Sequence, residues 1–198
     1  MPRPSLKDVR SAEILAAFAS CVARFGLEGA TQERIAKAAG VKRTILRHYL
    51  GNRDEMINAL IDFVVTDFDD QSQALFDALP STDRVATLLD VLFGTSGRTS
   101  PDMVLVFEAL VAAADRHPKA RKALLAWTQR FIDAVEAELA TAFPSAARDK
   151  VMAAGHGIVA LYFNADSLHP LRPPKSWDRA ARAAADLLVE SLKGSQSG

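Results

Sequence analysis

Apolar side chains recur at helical spacing along most of the chain, and short stretches with glycine, proline or polar residues interrupt them. This spacing gathers the apolar residues on one helix face, whereas the alternating pattern of half-buried strands is almost absent. Residues that favour helices, above all Ala, Leu, Glu, Arg and Lys, dominate the composition. The pattern therefore predicts an all-α protein. The predicted helices span residues 8–25, 31–38, 42–49, 53–78, 82–94, 101–116, 118–142, 146–165 and 177–193.

Residues 31–50 have the features of a helix-turn-helix. Thr31 can cap the first short helix, and Ala36 is small, as is needed where two helices cross closely. Gly40 follows this helix, at a position where a left-handed backbone conformation makes the sharp turn. Leu46 is an apolar residue that can anchor the second helix onto the first.

With those apolar residues buried, the second helix presents Arg43, Thr44, Arg47 and His48 outward. Two arginines at positions i and i+4 suit a DNA major groove, which is lined by phosphates and guanine edges. Residues 1–53 contain ten Lys or Arg and four Asp or Glu, a net charge of +6, and the remaining residues balance it with −6. A plain helical hairpin with a charged surface has the same spacing and is the alternative interpretation. The positive charge of this segment favours DNA binding.

The stretch from Ile14 to Met56 resembles the N-terminal domain of the TetR family of transcriptional repressors. In the family's order it contains the helix ILAAFASCVARFGLEG, then TQERIAKAAGV, the recognition helix TILRHYL and the start of a long helix, NRDEM. The resemblance implies a three-helix DNA-binding domain over residues 1–52, with the helix-turn-helix at 31–50. It also implies a helical effector-binding and dimerisation domain over residues 53–198.

The resemblance further implies which side chains meet DNA. Arg43 and Thr44 stand at positions that usually touch bases, whereas Arg47, Tyr49 and Arg53 stand at positions that usually touch phosphates. The predicted DNA-binding residues are Thr31, Gln32, Lys42, Arg43, Thr44, Ile45, Arg47, His48, Tyr49 and Arg53.

Several of these positions depart from the family's pattern. Lys42 stands where Ser or Thr usually caps the recognition helix, so it removes a cap and adds a cation. Ile45 replaces a usual threonine and could touch a thymine methyl group. Arg47 replaces a usual tyrosine with a longer, charged donor. We therefore expect the operator sequence to be particular to this protein.

The helices after residue 53 carry many large apolar side chains, most of which we expect to form a core. In the TetR family, helices over about 81–163 enclose an effector cavity, and polar residues on apolar faces point to such a cavity. His156 is the strongest candidate because Gly155 and Gly157 flank it, and helical glycines indicate close approach of a helix or ligand. The alternative is that His156 is a buried core residue. The predicted effector-binding residues are Phe93, Phe107, Glu108, Trp127, Phe131, His156 and Tyr162.

The last two long helices, residues 146–165 and 177–193, are expected to pair with their copies in a homodimer, as the resemblance implies. Small and apolar side chains on one face of the final helix would permit close packing there. These residues are Ala181, Ala184, Ala185, Leu188 and Leu192. The alternative is a terminal helix that folds onto its own domain.

These features predict a repressor that a small hydrophobic or aromatic effector releases from a palindromic operator. An all-helical small-molecule enzyme and a helical interaction protein without DNA binding are the alternatives. The sequence has no phosphate-binding glycine loop, metalloprotease motif or Cys/His cluster, so we expect no catalytic residue, metal or cofactor. Cys21 is the single cysteine, and no apolar run reaches the length of a membrane span. We expect a soluble cytoplasmic protein.

Overall fold

The computed structural model describes residues 6–94 and 99–193, which form nine α-helices and contain no strand. The all-α prediction is confirmed, and each predicted helix is present. The helices are α1 (Leu6–Gly29), α2 (Gln32–Ala38), α3 (Arg43–Leu50), α4 (Arg53–Asp77), α5 (Arg84–Phe93), α6 (Pro101–Ala112), α7 (Pro118–Ala142), α8 (Arg148–Ser167) and α9 (Lys175–Lys193). A 3-10 turn, His169–Leu171, precedes α9. Within the described residues, none of the helices is long and apolar enough to span a membrane.

Side-chain caps fix the start of several helices. The Asn52 side chain accepts the backbone N–H of Glu55 at 3.0 Å, and the Asn52 N–H donates to the Glu55 carboxylate at 2.7 Å. This reciprocal capping box starts α4. Ser100 caps α6 by accepting the N–H of Met103 at 3.3 Å. Gly26, with φ 71° and ψ 170°, interrupts α1 near its end.

The chain divides into two compact units. The first contains residues 6–68 and Ser100–Leu125, so it includes α6 and the beginning of α7. Its core is built from apolar side chains of α1 to α4 and α6 that are almost fully buried. The largest of these are Ile14, Phe18, Ile35, Leu46, Met56, Leu60, Ile61 and Leu110. The two compact units therefore have other boundaries than the predicted domains, 1–52 and 53–198. The predicted domains describe a division of function and stay a prediction.

The second unit contains residues 69–94, Thr99 and residues 126–193. Its apolar core joins α5, the later part of α7, α8 and α9. A Cβ atom on Gly155 would lie 2.5 Å from Cγ of Glu136 on α7, and one on Gly157 would lie 2.9 Å from a methyl group of Leu188 on α9. The two glycines therefore let neighbouring helices approach α8 closely, as their position within a helix predicted.

Candidate nucleic-acid interface and ligand site

The turn between α2 and α3 has the geometry that its glycine predicted. Thr31 caps α2 by accepting the N–H of Arg34 at 3.3 Å. Gly40 adopts φ 64°, which lies in the left-handed region, and its N–H donates to the carbonyl of Lys37 at 3.2 Å. The N–H of Val41 donates to the carbonyl of Ala36 at 2.9 Å. These bonds close α2 and redirect the chain into α3.

Helix α3 is buried on one face and open on the other. Leu46 and Leu50 are 0% and 7% exposed and hold α3 against the first unit's core. The opposite face is exposed and carries most of the predicted DNA-binding side chains. The exposed residues are Lys42, Arg43, Thr44, Ile45, Arg47 and His48, and Tyr49 is half-buried. A helix with one anchored apolar face and one cationic face can enter a major groove without losing its packing.

The start of α3 differs from a normally capped helix. Lys42 is its N-cap residue, and within the described chain its side chain makes no capping hydrogen bond. The backbone N–H groups of the first turn consequently lack the side-chain acceptor that Ser or Thr would supply. Nearby, Arg43 donates to the side-chain oxygen of Gln32 at 3.5 Å. Two predicted DNA-binding residues from different helices therefore lie side by side.

Arg53 is half-buried, and its guanidinium already donates to acceptors within the chain. Its guanidinium donates to the backbone carbonyl of Ala30 at 2.7 Å and to that of Leu27, and lies 5.4 Å from the ring centroid of buried Phe18. Burial lowers the pKa of Arg53, and the carboxylates of Glu28 and Asp54 act in the opposite direction. Both terminal nitrogens therefore already serve backbone acceptors, and the predicted phosphate contact of Arg53 stays a prediction.

A cluster of basic and aromatic side chains near the end of α1 was not predicted from the sequence. Phe25 is 41% exposed, and two guanidinium groups lie over its ring, that of Arg24 at 5.1 Å and that of Arg34 at 4.5 Å from the ring centroid. Arg34 also donates to the carbonyl of Gly29 at 2.6 Å. Because Arg34 lies beyond a break in the helix, helical spacing could not have predicted this group. It adds positive charge beside the start of α2.

Part of the predicted effector site forms one aromatic cluster in the second unit. Trp127 stacks on Phe163 at a centroid distance of 5.6 Å and on Phe131 at 6.0 Å, and the Phe131 and Tyr162 rings are 5.9 Å apart. The Tyr162 hydroxyl lies 3.5 Å from that of Thr99. Three of the seven effector candidates, Trp127, Phe131 and Tyr162, therefore meet. We call them, with Phe163, the aromatic cluster.

The other effector candidates lie elsewhere. Phe93 is buried in the second unit's core. Phe107 and Glu108 belong to the first unit, where Phe107 packs against Phe68 at 5.8 Å and Glu108 is exposed. His156 is exposed in the protomer, so it does not lie in the core, and its predicted effector contact stays a prediction. The reason is helical geometry, because α8 buries the face that includes Ile158 and turns His156 away.

A separate cavity of about 490 Å³ lies in the second unit, between the start of α5 and the ends of α7 and α9. Most of its charged lining residues form ion pairs. Arg84 donates to both carboxylate oxygens of Glu138, at 2.8 and 2.6 Å, and Arg182 pairs with Asp186. The described residues that line it include none of the effector candidates. Nor do the described residues contain a cluster of His, Cys, Asp or Glu that could hold a metal ion.

The final helix packs differently from its predicted orientation. Ala185 and Leu192 are buried in the same chain, and Leu188 is half-buried beside Gly157. Part of the small-residue face predicted for a partner therefore packs within the protomer, and the pairing of these helices with a second copy stays a prediction. The outward faces of α8 and α9 instead carry exposed apolar side chains, including Met152 at 48%, Trp177 at 56% and Leu187 at 72%.

Known transcriptional regulators resemble this chain in sequence and in fold. The chain is 30% identical over 99 residues to HTH-type transcriptional regulator BetI 2 of Chromohalobacter salexigens, covering 50% of this chain and 48% of that protein. It is 26% identical over 131 residues to HTH-type transcriptional regulator BetI of Rhizobium meliloti, covering 66% and 64%. The chain thus matches only about half to two thirds of the length of these relatives.

The fold extends the likeness to nearly the whole chain. A TetR transcription regulator from Haloarcula marismortui superposes with a TM-score of 0.75 over 92% of this chain and 97% of its own, at 15% identity. No protein-family model matches the chain. The helix-turn-helix and the all-helical architecture nevertheless agree with these likenesses, and the chain has the fold of a TetR transcription regulator.

Proposed function

We propose that the protein is a ligand-responsive DNA-binding regulator that represses transcription from a palindromic operator. The single observation that carries the proposal is the outer face of α3, with Leu46 and Leu50 buried behind exposed Arg43, Thr44 and Arg47. This face supplies fork-shaped donors for guanine edges and cations for phosphates. Relatives named as transcriptional regulators support the same function rather than an enzyme.

A palindromic operator requires two copies of α3. The exposed apolar side chains Met152, Trp177 and Leu187 support a homodimer formed through the outward faces of α8 and α9, since such faces favour a partner over water. Two recognition helices would then need a separation of about 34–36 Å to enter successive major grooves on one side of the duplex. A change in that separation would release the DNA.

The aromatic cluster supports an aromatic or hydrophobic effector. Trp127, Phe131 and Phe163 lie nearly parallel, with interplanar angles of 14° to 24°, so a flat ring could stack among them after a modest rearrangement. The Tyr162 hydroxyl beside Thr99 would offer one polar contact. The exposed position of His156 does not support a role in this site, whereas Phe93 lies in the same core.

The DNA-binding proposal is tested by selecting bound sequences from random duplexes and measuring affinity for the selected operator. Arg43→Ala should weaken operator binding by about 1–3 kcal/mol and relax the preference at one position per half-site. Lys122→Ala removes one exposed charge from α7 and is the matched control, expected to leave affinity unchanged. Equal losses on operator and random DNA would reassign Arg43 to a phosphate contact.

The effector proposal has its own optical test. The chain contains two tryptophans, so Trp177→Phe leaves Trp127 as the single tryptophan emitter. We expect flat aromatic acids, amines or phenols that weaken operator binding to change this emission over the same concentration range. By linkage, operator DNA must weaken their binding by the same factor. A compound that releases DNA without changing Trp127 emission would place the effector site elsewhere.

A further inference from the structure

Arg53 is the first residue of α4, and the capping box between Asn52 and Glu55 holds that turn in place. A guanidinium carries five N–H donors in a rigid planar fork. Here the fork spans two backbone carbonyls, that of Leu27 in the last turn of α1 and that of Ala30 just after α1. The first turn of α4 is therefore tied to a point more than twenty residues earlier in the chain.

Those two carbonyls belong to the segment that sets the direction of α2. We call residues 26–31 the corner, because the segment begins at the break in α1 and ends at the α2 cap, Thr31. In a continuing helix the Leu27 carbonyl would accept the N–H of Thr31, but that N–H donates to Gly29 at 2.9 Å. The Arg34 N–H, which would reach Ala30, is used by the Thr31 side chain. Arg53 thus satisfies carbonyls that the corner leaves without their helical donors.

The environment of the guanidinium makes this tie specific to arginine. Its face lies 5.4 Å from the ring centroid of Phe18, and Phe18 is fully buried. Leu27 and Ala30 are 5% and 0% exposed, so their carbonyls have little access to water if Arg53 is removed. A lysine could donate to one of the two carbonyls but could not bridge both in one plane.

We propose that Arg53 is a positioning residue: its guanidinium ties the start of α4 to the corner and thereby sets the angle at which α2 and α3 meet DNA. The inference rests on the proposed function and refines it. Helix α4 continues to Asp77, from the first unit into the second, so a shift at its start is passed through Arg53 to the corner. A phosphate contact by Arg53 is the competing role.

The two roles predict different dependence on salt. A lost phosphate contact reduces the slope of log affinity against log salt by about one unit per half-site and weakens every sequence alike. A lost positioning contact misaligns α3 and weakens the operator while leaving that slope unchanged. The experiment therefore compares Arg53→Met, Arg53→Lys and Arg47→Met on the selected operator and on a random duplex. Arg47, exposed on α3, is the matched arginine expected to touch phosphate.

Affinities are counted per active dimer from stoichiometric titration, at a temperature where circular dichroism shows every variant folded. We expect Arg53→Met to lose about tenfold or more in operator affinity at every salt concentration, with random-duplex binding changed far less. Arg53→Lys should recover only part of the loss. Arg47→Met should weaken both duplexes and reduce the slope.

Two results would overturn the inference. A reduced slope for Arg53→Met together with full recovery by Arg53→Lys would make Arg53 a phosphate contact. Unchanged operator affinity per active dimer, with only a lower melting temperature, would make it a stabilising residue alone. If Arg53→Met does not fold, Arg53→Lys still separates the roles, because a point charge satisfies phosphate but not two carbonyls. A wild-type protein that prefers no duplex would instead refute the proposed function.

Discussion

Replacing Gly40 tests the turn on which the recognition helix depends. Its φ of 64° lies in the left-handed region, where a side chain is strained. A Cβ atom built at Gly40 would meet no heavy atom of the described residues within 4 Å. The penalty of a substitution is therefore conformational, without a steric clash, and this makes its size calculable.

For a residue with an L-configured Cβ, the left-handed conformation costs about 1–2 kcal/mol, and β-branched side chains resist it most. We therefore expect Gly40→Val to lower the free energy of unfolding by about 2 kcal/mol. Asparagine tolerates this conformation, so Gly40→Asn should cost clearly less. At about 2–4 °C per kcal/mol for a chain of this length, the valine variant should melt several degrees lower.

The assay is urea and thermal unfolding of the three proteins, followed by operator titration under folding conditions. Gly40→Val should also lose operator affinity, because a strained turn displaces α3 relative to α2. Gly40→Asn is the control, since it adds a polar side chain in the same open space. A valine variant as stable as the parent, or an asparagine variant as unstable as valine, would refute the argument from backbone conformation.

Three further predictions concern the second unit. Leu187→Glu should weaken the homodimer at least tenfold in sedimentation experiments, about 1.4 kcal/mol. Leu125→Glu makes the same change at another exposed leucine and should not weaken the homodimer. Equal effects of the two substitutions would contradict the proposed interface. Gly155→Ala should destabilise the unit by about 1–3 kcal/mol, because its Cβ would lie 2.5 Å from Glu136; a neutral result in urea unfolding would contradict the close approach. The Arg84 guanidinium holds the pKa of Glu138 below its usual range, so this pair's stabilisation is complete above the carboxyl's unfolded pKa and disappears as pH falls through the lowered folded value. Glu138→Gln should therefore flatten the acid side of the stability curve, and an unchanged acid slope would contradict the pairing.

The helices and the turn were predictable because their signals are local. The apolar repeat of α3 identifies Leu46 as buried and Arg43 as exposed without knowledge of any partner helix. Gly40 indicated a left-handed backbone conformation, since few other residues adopt it. Gly155 and Gly157 indicated close approach at α8 because glycine is unfavourable inside a helix unless a neighbour needs the space.

The contacts that were missed depend on residues far apart in the chain. The acceptors of Arg53 are backbone carbonyls, which leave no signature in the sequence, and they lie 23 and 26 residues away. The exposure of His156 depends on which face of α8 meets α7 and α9, and a helix with small residues on several sides does not determine that choice. The sequence likewise did not determine whether Ala185 faces a partner or its own protomer, and it is buried in its own protomer.

The most direct test of the central claim is binding of the wild-type homodimer to its selected operator, to the same half-sites separated by five extra base pairs, and to a random duplex. We expect a palindromic selected site, with half-site centres one helical turn or a multiple apart. Affinity should exceed that for random DNA by about a thousandfold or more, and the half-turn insertion should abolish most of this preference. Equal affinity for all three duplexes would contradict the claim that α3 reads DNA.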